Sequence, residues 1–172
     1  MQVPLIRTAL AKGKLWRLLT GHLVHFGADH FIWNIGVLLV LGALLPTPRA
    51  RDWMLILGGS ALAVSCAVWL FQPQFVIYRG LSGIACAYFG AVLTQLFLAG
   101  RQTRDLWLTI LVIAAGSAFV GKTVYELAHA RTLFVSTTVF EPVPLAHLVG
   151  FISGVADFVW RNIPASHRQI TD

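Results

Sequence analysis

Five long apolar runs, with short polar segments between them, constrain the fold of this chain more than any other feature. The runs cover His30–Leu45, Trp53–Phe71, Leu81–Leu98, Leu106–Val120 and Leu145–Val159. A helix needs about 20 apolar residues to cross a bilayer, within a range of ~17–25, and several runs lie near its short end. Hydrophobic residues make up 57% of the chain and charged residues 12%, which leaves too little polar surface for a soluble globule. The sequence therefore predicts an all-α fold, a polytopic transmembrane helical bundle with about five membrane helices.

The whole chain, residues 1–172, is interpreted as a single membrane domain. Residues 1–21 form a predicted interfacial segment, residues 22–161 contain the membrane helices and loops, and residues 162–172 form a polar tail. Met1–Arg17 is basic and has no run long enough to span, while Trp16 is suited to anchor at headgroup level. The start of the first helix stays open between His22 and His30.

The net charge of the chain, +6 at pH 7, is spread over the ends of the apolar runs. Lys and Arg at such positions reach headgroups and water, so the expected partner is the lipid bilayer and not a nucleic acid. Segment 121–144 is too polar to span, although Lys122 and Glu126 stand four apart and can pair if it is helical. Cys66 and Cys86 lie inside apolar runs and form neither a disulfide framework nor a metal-ligand spacing. No cofactor and no metal is predicted.

Counting the helices along the chain predicts that polar residues from distant parts of the sequence lie at one depth in the membrane. Alternate membrane helices run in the same direction, so the first, third and fifth runs all begin at one membrane face. The polar residues at these ends are His25, His30 and Asn34 on the first run, Ser82 on the third and His147 on the fifth. We refer to these residues as the polar cluster.

Charge alone does not decide which face is cytoplasmic. Of the 13 Lys and Arg, seven fall on the face of the polar cluster and six on the other. The six are concentrated in short loops and the tail, where the positive-inside rule counts most. The side opposite the polar cluster is therefore favoured as cytoplasmic.

Ser82 and His147 have the chemistry of a nucleophile and its base. A catalytic serine needs a general base within hydrogen-bond reach and donors for the oxyanion that forms. Small residues permit the close helix contact that this pairing needs. They are Gly83, Ala87 and Ala91 on the third run and Gly150 and Gly154 on the fifth.

His30 and Asn34 are suited to oxyanion binding, because residues four apart share one face of a helix. His25 is expected at the water-exposed rim. Simpler interpretations stay open: a membrane serine often returns its hydroxyl to a backbone carbonyl, and an asparagine often joins helices. For the remaining histidines an interfacial position is expected; these are His22, His129 and His167.

Four ordered motifs span Trp16 to Gly154. They are Trp16-Arg17, the His-x4-His-x3-Asn pattern of His25, His30 and Asn34, Gly80-Leu81-Ser82-Gly83, and Ala146-His147-Leu-Val-Gly150-Phe-Ile-Ser-Gly154. In these motifs the chain resembles the rhomboid intramembrane serine proteases.

The resemblance implies a serine endopeptidase that cuts a membrane protein substrate in or near its transmembrane segment. Ser82 would be the nucleophile and His147 the base, in a dyad without an acidic member. His30, Asn34 and the Ser82 backbone N–H would form the oxyanion hole. The active-site rim would hold His25, Gly80, Gly83 and Cys86, and helix packing would depend on Gly150 and Gly154.

Residues 15–25 and Tyr78–Gly83 resemble more narrowly the rhombosortases, compact bacterial rhomboids that process C-terminal sorting tails containing Gly-Gly. This implies a bacterial inner membrane with the active site toward the periplasm. In two respects the chain departs from the family. Cys86 stands where many rhomboids carry a tyrosine that packs on the catalytic histidine and where rhombosortases tend to carry histidine. The family core also has a membrane helix before the Trp-Arg motif, which has no counterpart in this sequence.

Two other function classes are open. The first is a catalytically inactive rhomboid-like protein that binds transmembrane segments, against which the retention of both dyad members and both oxyanion side chains argues. The second is a small channel or transporter subunit, which lacks support because no broken-helix pair or internal repeat is visible. The sequence does not indicate an oligomeric state.

Overall fold

The fold is all-α, as predicted, in the part of the chain that the computed structural model describes: residues 10, 12–25, 27–45, 50–74, 78–129, 133 and 143–162. The helices are α1 (Arg17–Thr20), α2 (Ala28–Leu44), α3 (Ala50–Phe71), α4 (Ser82–Thr103), α5 (Leu106–His129) and α6 (Pro144–Asn162). A 3-10 turn, Gly21–Leu23, follows α1. The predicted polar tail beyond Asn162 lies outside the described residues.

Among the described helices, three are long and apolar enough to cross a membrane, namely α3, α4 and α5. A fourth span results if the bent pair Arg17–Leu23 and Ala28–Leu44, with 105° between its members, counts as one. All five predicted membrane helices are thus present as helices. Three of them are long and apolar enough to span a membrane by themselves. The molecule is an integral membrane protein by these spans.

The first membrane helix begins at Ala28, within the interval from His22 to His30 that the sequence left open, and His22 lies in the 3-10 turn before it. One predicted helix boundary was wrong. The fourth membrane helix does not end at Val120 but continues to His129. Its polar residues are tolerated because Lys122 Nζ pairs with Glu126 Oε2 at 2.8 Å within one turn of the helix.

Helix α4 is the centre of the bundle and α5 lies at its edge. In the apolar stretch of α4 that could span a membrane, 56% of the residues are buried, and in the corresponding stretch of α5 the share is 11%. Small residues line the buried part of α4 and let neighbouring helices come near: Gly83, Ala85, Ala87, Gly90 and Ala91. The large apolar side chains that α5 exposes, such as Trp107 and Leu111, suit contact with lipid.

Helices α4 and α6 run parallel and nearly touch backbone to backbone. A Cβ atom on Gly150 would overlap the carbonyl oxygen of Gly83, and one on Gly154 would overlap the carbonyl oxygen of Ala87. Both pairs advance by four residues, so the two helices stay in register over a full turn. This close approach needs glycine on α6, and it places the first turns of α4 and α6 side by side.

The other end of α6 is held by Arg161. Its Nη1 lies 2.9 Å from Asp52 Oδ1 at the start of α3, and its Nε lies 2.7 Å from Asp157 Oδ2 on α6 itself. The hydroxyl of Tyr88 on α4 donates to the carbonyl of Trp53, also at 2.9 Å. Polar contacts therefore join α3, α4 and α6 at the end opposite Ser82.

Candidate active site

Ser82 and His147 are within hydrogen-bond distance. His147 Nε2 lies 3.1 Å from Ser82 Oγ, where Ser82 is the first residue of α4 and His147 stands in the first turn of α6. Both residues are half-buried, so neither is fully enclosed by the described helices. The geometry is that of a hydroxyl beside a nitrogen base able to take its proton.

The turn before Ser82 directs backbone N–H groups away from the helix. Gly80 has φ +112°, a conformation that side-chain-bearing residues rarely adopt. The Leu81 carbonyl accepts the Ala85 N–H at 2.8 Å, which starts the helical ladder. The Ser82 N–H lies in the first turn, where the helix supplies no acceptor for it. It can therefore donate a hydrogen bond to an anion.

His30 and Asn34 lie on α2, which packs against α4. The ring of His30 lies against the turn, because a Cβ on Gly80 would come within 3.2 Å of His30 Cε1. Asn34 is buried, and its Nδ2 donates to the His30 carbonyl at 2.6 Å. That bond uses one of the two amide hydrogens. Their roles as oxyanion donors stay predictions.

His25 contacts the same turn. Its Nε2 lies 3.4 Å from the Leu81 nitrogen, and its Nδ1 lies 3.2 Å from the Leu23 carbonyl oxygen. Its ring also meets the edge of the His30 ring, with the two centroids 5.5 Å apart. His25 is half-buried and contacts the backbone on both sides of its ring, and its role at the active-site rim stays a prediction.

The remaining predicted rim residues flank Ser82. Gly83 faces the α6 backbone, since a Cβ there would lie 3.1 Å from both the Ala146 carbonyl oxygen and the Tyr78 hydroxyl. Tyr78 is buried in the turn, and burial raises the pKa of its hydroxyl, which therefore stays neutral. Cys86 is a free, half-buried thiol one turn after Ser82. Its place at the active-site rim stays a prediction.

The expectation that His22 lies at the membrane interface was wrong. His22 is 1% exposed, and its ring nitrogens contact the Gly80 carbonyl at 3.3 Å, the Ala61 carbonyl at 3.0 Å and Ser65 Oγ at 2.9 Å. Nothing in the sequence separates His22 from a surface histidine, because its partners lie 39 to 58 positions away. Only the fold brings them together.

His22 and Ser65 form a second serine–histidine contact, but it lacks access. Ser65 is completely buried, and its hydroxyl donates to the Leu18 carbonyl at 2.6 Å. A nucleophile must reach a substrate carbonyl, and a closed site within the helix packing does not permit this. The half-buried pair of Ser82 and His147 is therefore the better candidate.

His129 is exposed and stacks on Tyr125, with ring centroids 4.2 Å apart, while His167 lies outside the described residues. Among the described residues, no group of three or more His, Cys, Asp or Glu side chains is arranged to hold a metal ion.

Comparison with known proteins identifies the family of the chain. A family model described as a Rhomboid domain matches residues 12–160. The "Putative rhomboid protease YdcA" of Bacillus subtilis (strain 168) is 26% identical over 125 residues, which cover 70% of this chain and 63% of that protein. The chain thus spans less than two thirds of the length of this relative. No solved structure matches the chain.

Proposed function

Because the chain belongs to the rhomboid family, we propose that it is an intramembrane serine endopeptidase in which Ser82 and His147 form the catalytic dyad. The observation that carries the proposal is the 3.1 Å contact between Ser82 Oγ and His147 Nε2 in the first turns of two parallel helices. Residues from remote parts of the sequence meet there at a helix N-terminus, where free backbone N–H groups favour an anion.

In the proposed mechanism, Ser82 Oγ attacks the carbonyl carbon of the scissile peptide while His147 Nε2 takes the hydroxyl proton. The carbonyl oxygen becomes an oxyanion, which the Ser82 N–H, His30 and the second Asn34 amide hydrogen stabilise. His147 then returns the proton to the leaving amine, and the C–N bond breaks. A water molecule, deprotonated by His147, hydrolyses the acyl-enzyme and restores Ser82.

The proposed substrate is a membrane-anchored protein cut in or near its transmembrane segment. The more specific proposal is a rhombosortase that processes C-terminal tails containing Gly-Gly. Its support is the resemblance of residues 15–25 and Tyr78–Gly83 to that subgroup. Cleavage of a reporter with a Gly-Gly tail, compared with an Ala-Ala version of the same tail, tests this point, and equal cleavage of both would leave only the general protease.

The deciding experiment is labelling with a fluorophosphonate probe in detergent. We expect the wild type to be labelled, the Ser82→Ala variant to be unlabelled, and the control Ser153→Ala to be labelled like the wild type. Ser153 suits the control because its hydroxyl donates to the Gly150 carbonyl of its own helix at 2.7 Å. If a folded wild type resists the probe, the protein is instead a non-cleaving binder of transmembrane segments.

The proposed location is a bacterial inner membrane with Ser82 toward the periplasm, supported by the basic residues in the loops on the opposite side. Arg104 lies in the turn between α4 and α5, on that opposite side. In a background without Cys66 and Cys86, the Arg104→Cys variant should react with an impermeant maleimide only after the inner membrane is opened. Reaction in cells with an intact inner membrane would reverse the orientation.

A further inference from the structure

We infer that Glu126 offsets the positive charge of Lys122 near His147, and that this ion pair on α5 thereby lets His147 take up the Ser82 proton. The inference rests on the proposed function, in which the imidazole of His147 becomes positively charged during the attack. Glu126 and Lys122 are then positioning residues, because they act through the charge of His147 and not on the substrate.

One face of α5 is directed into the bundle. Its buried residues are Val112, Thr123 and Glu126, and Phe119 shares this face because it stands seven positions after Val112 and four before Thr123. Helix α5 packs against α4 and α6. Thr123 is completely buried and Glu126 is 3% exposed. The Glu126 side chain therefore points into the bundle and not toward lipid.

Contacts along α5 give its direction relative to the other helices. A Cβ atom on Gly100 of α4 would lie 2.8 Å from Thr109 Oγ1, and one on Gly116 of α5 would lie 3.7 Å from Leu93 Cδ1. The later α5 residue meets the earlier α4 residue, so α4 and α5 are antiparallel. Because α6 is parallel to α4, α5 and α6 are antiparallel as well.

A ring contact between α5 and α6 then gives the depth of the ion pair. The rings of Phe119 on α5 and Phe151 on α6 stack with centroids 4.9 Å apart. In an antiparallel pair, a step toward the end of α5 matches a step toward the start of α6. One turn of about four residues leads from this contact to position 123 on α5 and to His147 on α6. Lys122 therefore lies at the depth of His147, and Glu126 lies about one turn from it.

Both oxygens of the Glu126 carboxylate are bonded. Its Oε2 lies 2.8 Å from Lys122 Nζ, and its Oε1 accepts the Leu133 N–H at 2.7 Å. A buried carboxylate without such partners would be costly. The Lys122 side chain is 32% exposed and paired with a carboxylate, so its ammonium group stays charged. The pair thus places one full charge of each sign near the base.

The two charges act on His147 with opposite signs. Lys122 and Glu126 both interact electrostatically with His147, and so does His30 on α2. A cation opposes the uptake of a proton by an imidazole, and a carboxylate favours it. With Glu126 in place, the effect of Lys122 is offset. Without Glu126 the cation would oppose the proton transfer that accompanies the attack of Ser82 Oγ, and this step would slow.

Other titratable groups lie on the remaining elements packed around the start of α6. They are His30 on α2, Ser82 and Cys86 on α4, and Tyr78 in the turn before α4. The α3 residues packed there, Val64 and Val68, are apolar. None of these groups is altered in the variants below, so a change in His147 between variants comes from the α5 pair.

Three variants separate charge from packing. Glu126→Gln keeps an acceptor for the Leu133 N–H, loses the negative charge and leaves the partly exposed Lys122 cation uncompensated. The double variant Glu126→Gln/Lys122→Gln removes that cation too. Asp105→Asn is the matched control, because it makes the same carboxylate-to-amide change and keeps an acceptor for the Leu108 N–H. Asp105 precedes the other end of α5, about 30 Å from Glu126 along the helix.

The first measurement is the rate constant of fluorophosphonate labelling at Ser82 as a function of pH. At neutral pH we expect Glu126→Gln to label about 3- to 10-fold more slowly than wild type with the same final extent. The pH at which its rate is half-maximal should move down by about 0.5–1 pH unit, because the imidazole then holds a proton less tightly. The double variant should recover most of the rate, and Asp105→Asn should match wild type.

A merely structural role of Glu126 predicts no recovery when Lys122 is also replaced. That result, or a wild-type rate and pH profile in Glu126→Gln, would overturn the inference.

Titration of the His147 ring by NMR supplies a readout that needs no serine reactivity. With isotope-labelled histidine in detergent micelles, the His147 signal is identified by its loss in His147→Ala. The ring should take up its proton at a lower pH in Glu126→Gln than in wild type, and the double variant should return toward wild type. If wild type fails to label, the proposed function fails, and the titration decides the inference by itself. An unchanged protonation pH in Glu126→Gln would then refute it.

Discussion

His147 Nε2 lies 3.1 Å from Ser82 Oγ although 65 positions separate the two residues in the sequence. The contact exists because Gly150 and Gly154 let α6 approach the backbone of α4, one turn at a time, beginning beside Ser82. The contact between Ser82 and His147 therefore depends on the close packing of α4 against α6.

Substitution of His147 by alanine should lower the rate of reporter cleavage about 10²- to 10⁴-fold, which is the usual contribution of a general base. The fold should persist, because the packing of α6 depends mainly on its glycines. Cleavage is measured with a single-pass reporter protein in detergent or liposomes. A His147→Ala variant that cleaves at the wild-type rate would remove the dyad from consideration.

Asn34→Ala should lower kcat about 10²- to 10³-fold, as expected for loss of one oxyanion donor. KM should change little, because the donor binds charge that develops only in the transition state. The cost in stability should be small, since the Asn34 side chain donates to the His30 carbonyl of its own helix. A rise in KM with unchanged kcat would instead make Asn34 a substrate-binding residue.

Gly150→Ala should destabilise the protein by roughly 1–3 kcal/mol, because its Cβ would overlap the Gly83 carbonyl oxygen. The helices must separate to admit it, so labelling of Ser82 should slow as well. Gly58→Ala on α3 is the matched control, since no atom lies within 4 Å of its added Cβ. The control should be neutral or gain roughly 0.5–1 kcal/mol from helix propensity. Equal unfolding temperatures for both variants would contradict the close packing of α4 and α6.

Gly80→Ala should destabilise the turn by about 1–2 kcal/mol, because φ +112° is unfavourable for a residue with a side chain. The added methyl would also press on the His30 ring, 3.2 Å away. Labelling should therefore slow beyond what the loss of stability explains. Gly59→Ala, inside α3 with no atom within 4 Å of its added Cβ, is the control and should leave stability unchanged or slightly higher. Wild-type labelling by Gly80→Ala would show that the turn tolerates a different shape.

Arg161→Ala should lower the free energy of unfolding by about 1.5–3 kcal/mol, the range for hydrogen bonds to charged groups. It would leave Asp52 and Asp157 without this shared cation at the end of the bundle opposite Ser82. The rate constant of Ser82 labelling in the folded fraction should stay the same, because the site is remote. Arg101→Ala, an exposed residue at the end of α4, serves as the control. A slower rate constant in Arg161→Ala would show that the two ends of the bundle are coupled.

The sequence was enough to predict the all-α class and the presence of five helices, three of which are long and apolar enough to span, because long apolar runs have few other stable forms in lipid. It also indicated that Ser82 and His147 begin parallel helices, since helix direction alternates along the chain. Helix ends were less predictable. The spacing of Lys122 and Glu126 allowed the ion pair that the structure contains, but the polar residues of this segment led to a predicted helix end at Val120 and not at His129.

The sequence by itself determined which helices form, which of them run in parallel, and which residues with reactive side chains lie at one depth. Periodicity, hydropathy and motif spacing are local properties, and they carry that information. Only the tertiary structure decided that His22 is buried against α3, that His25 bonds to the Leu81 backbone, and that both face the turn before Ser82. These contacts join residues 39 to 58 positions apart, and their geometry depends on how closely whole helices pack, which no local pattern encodes.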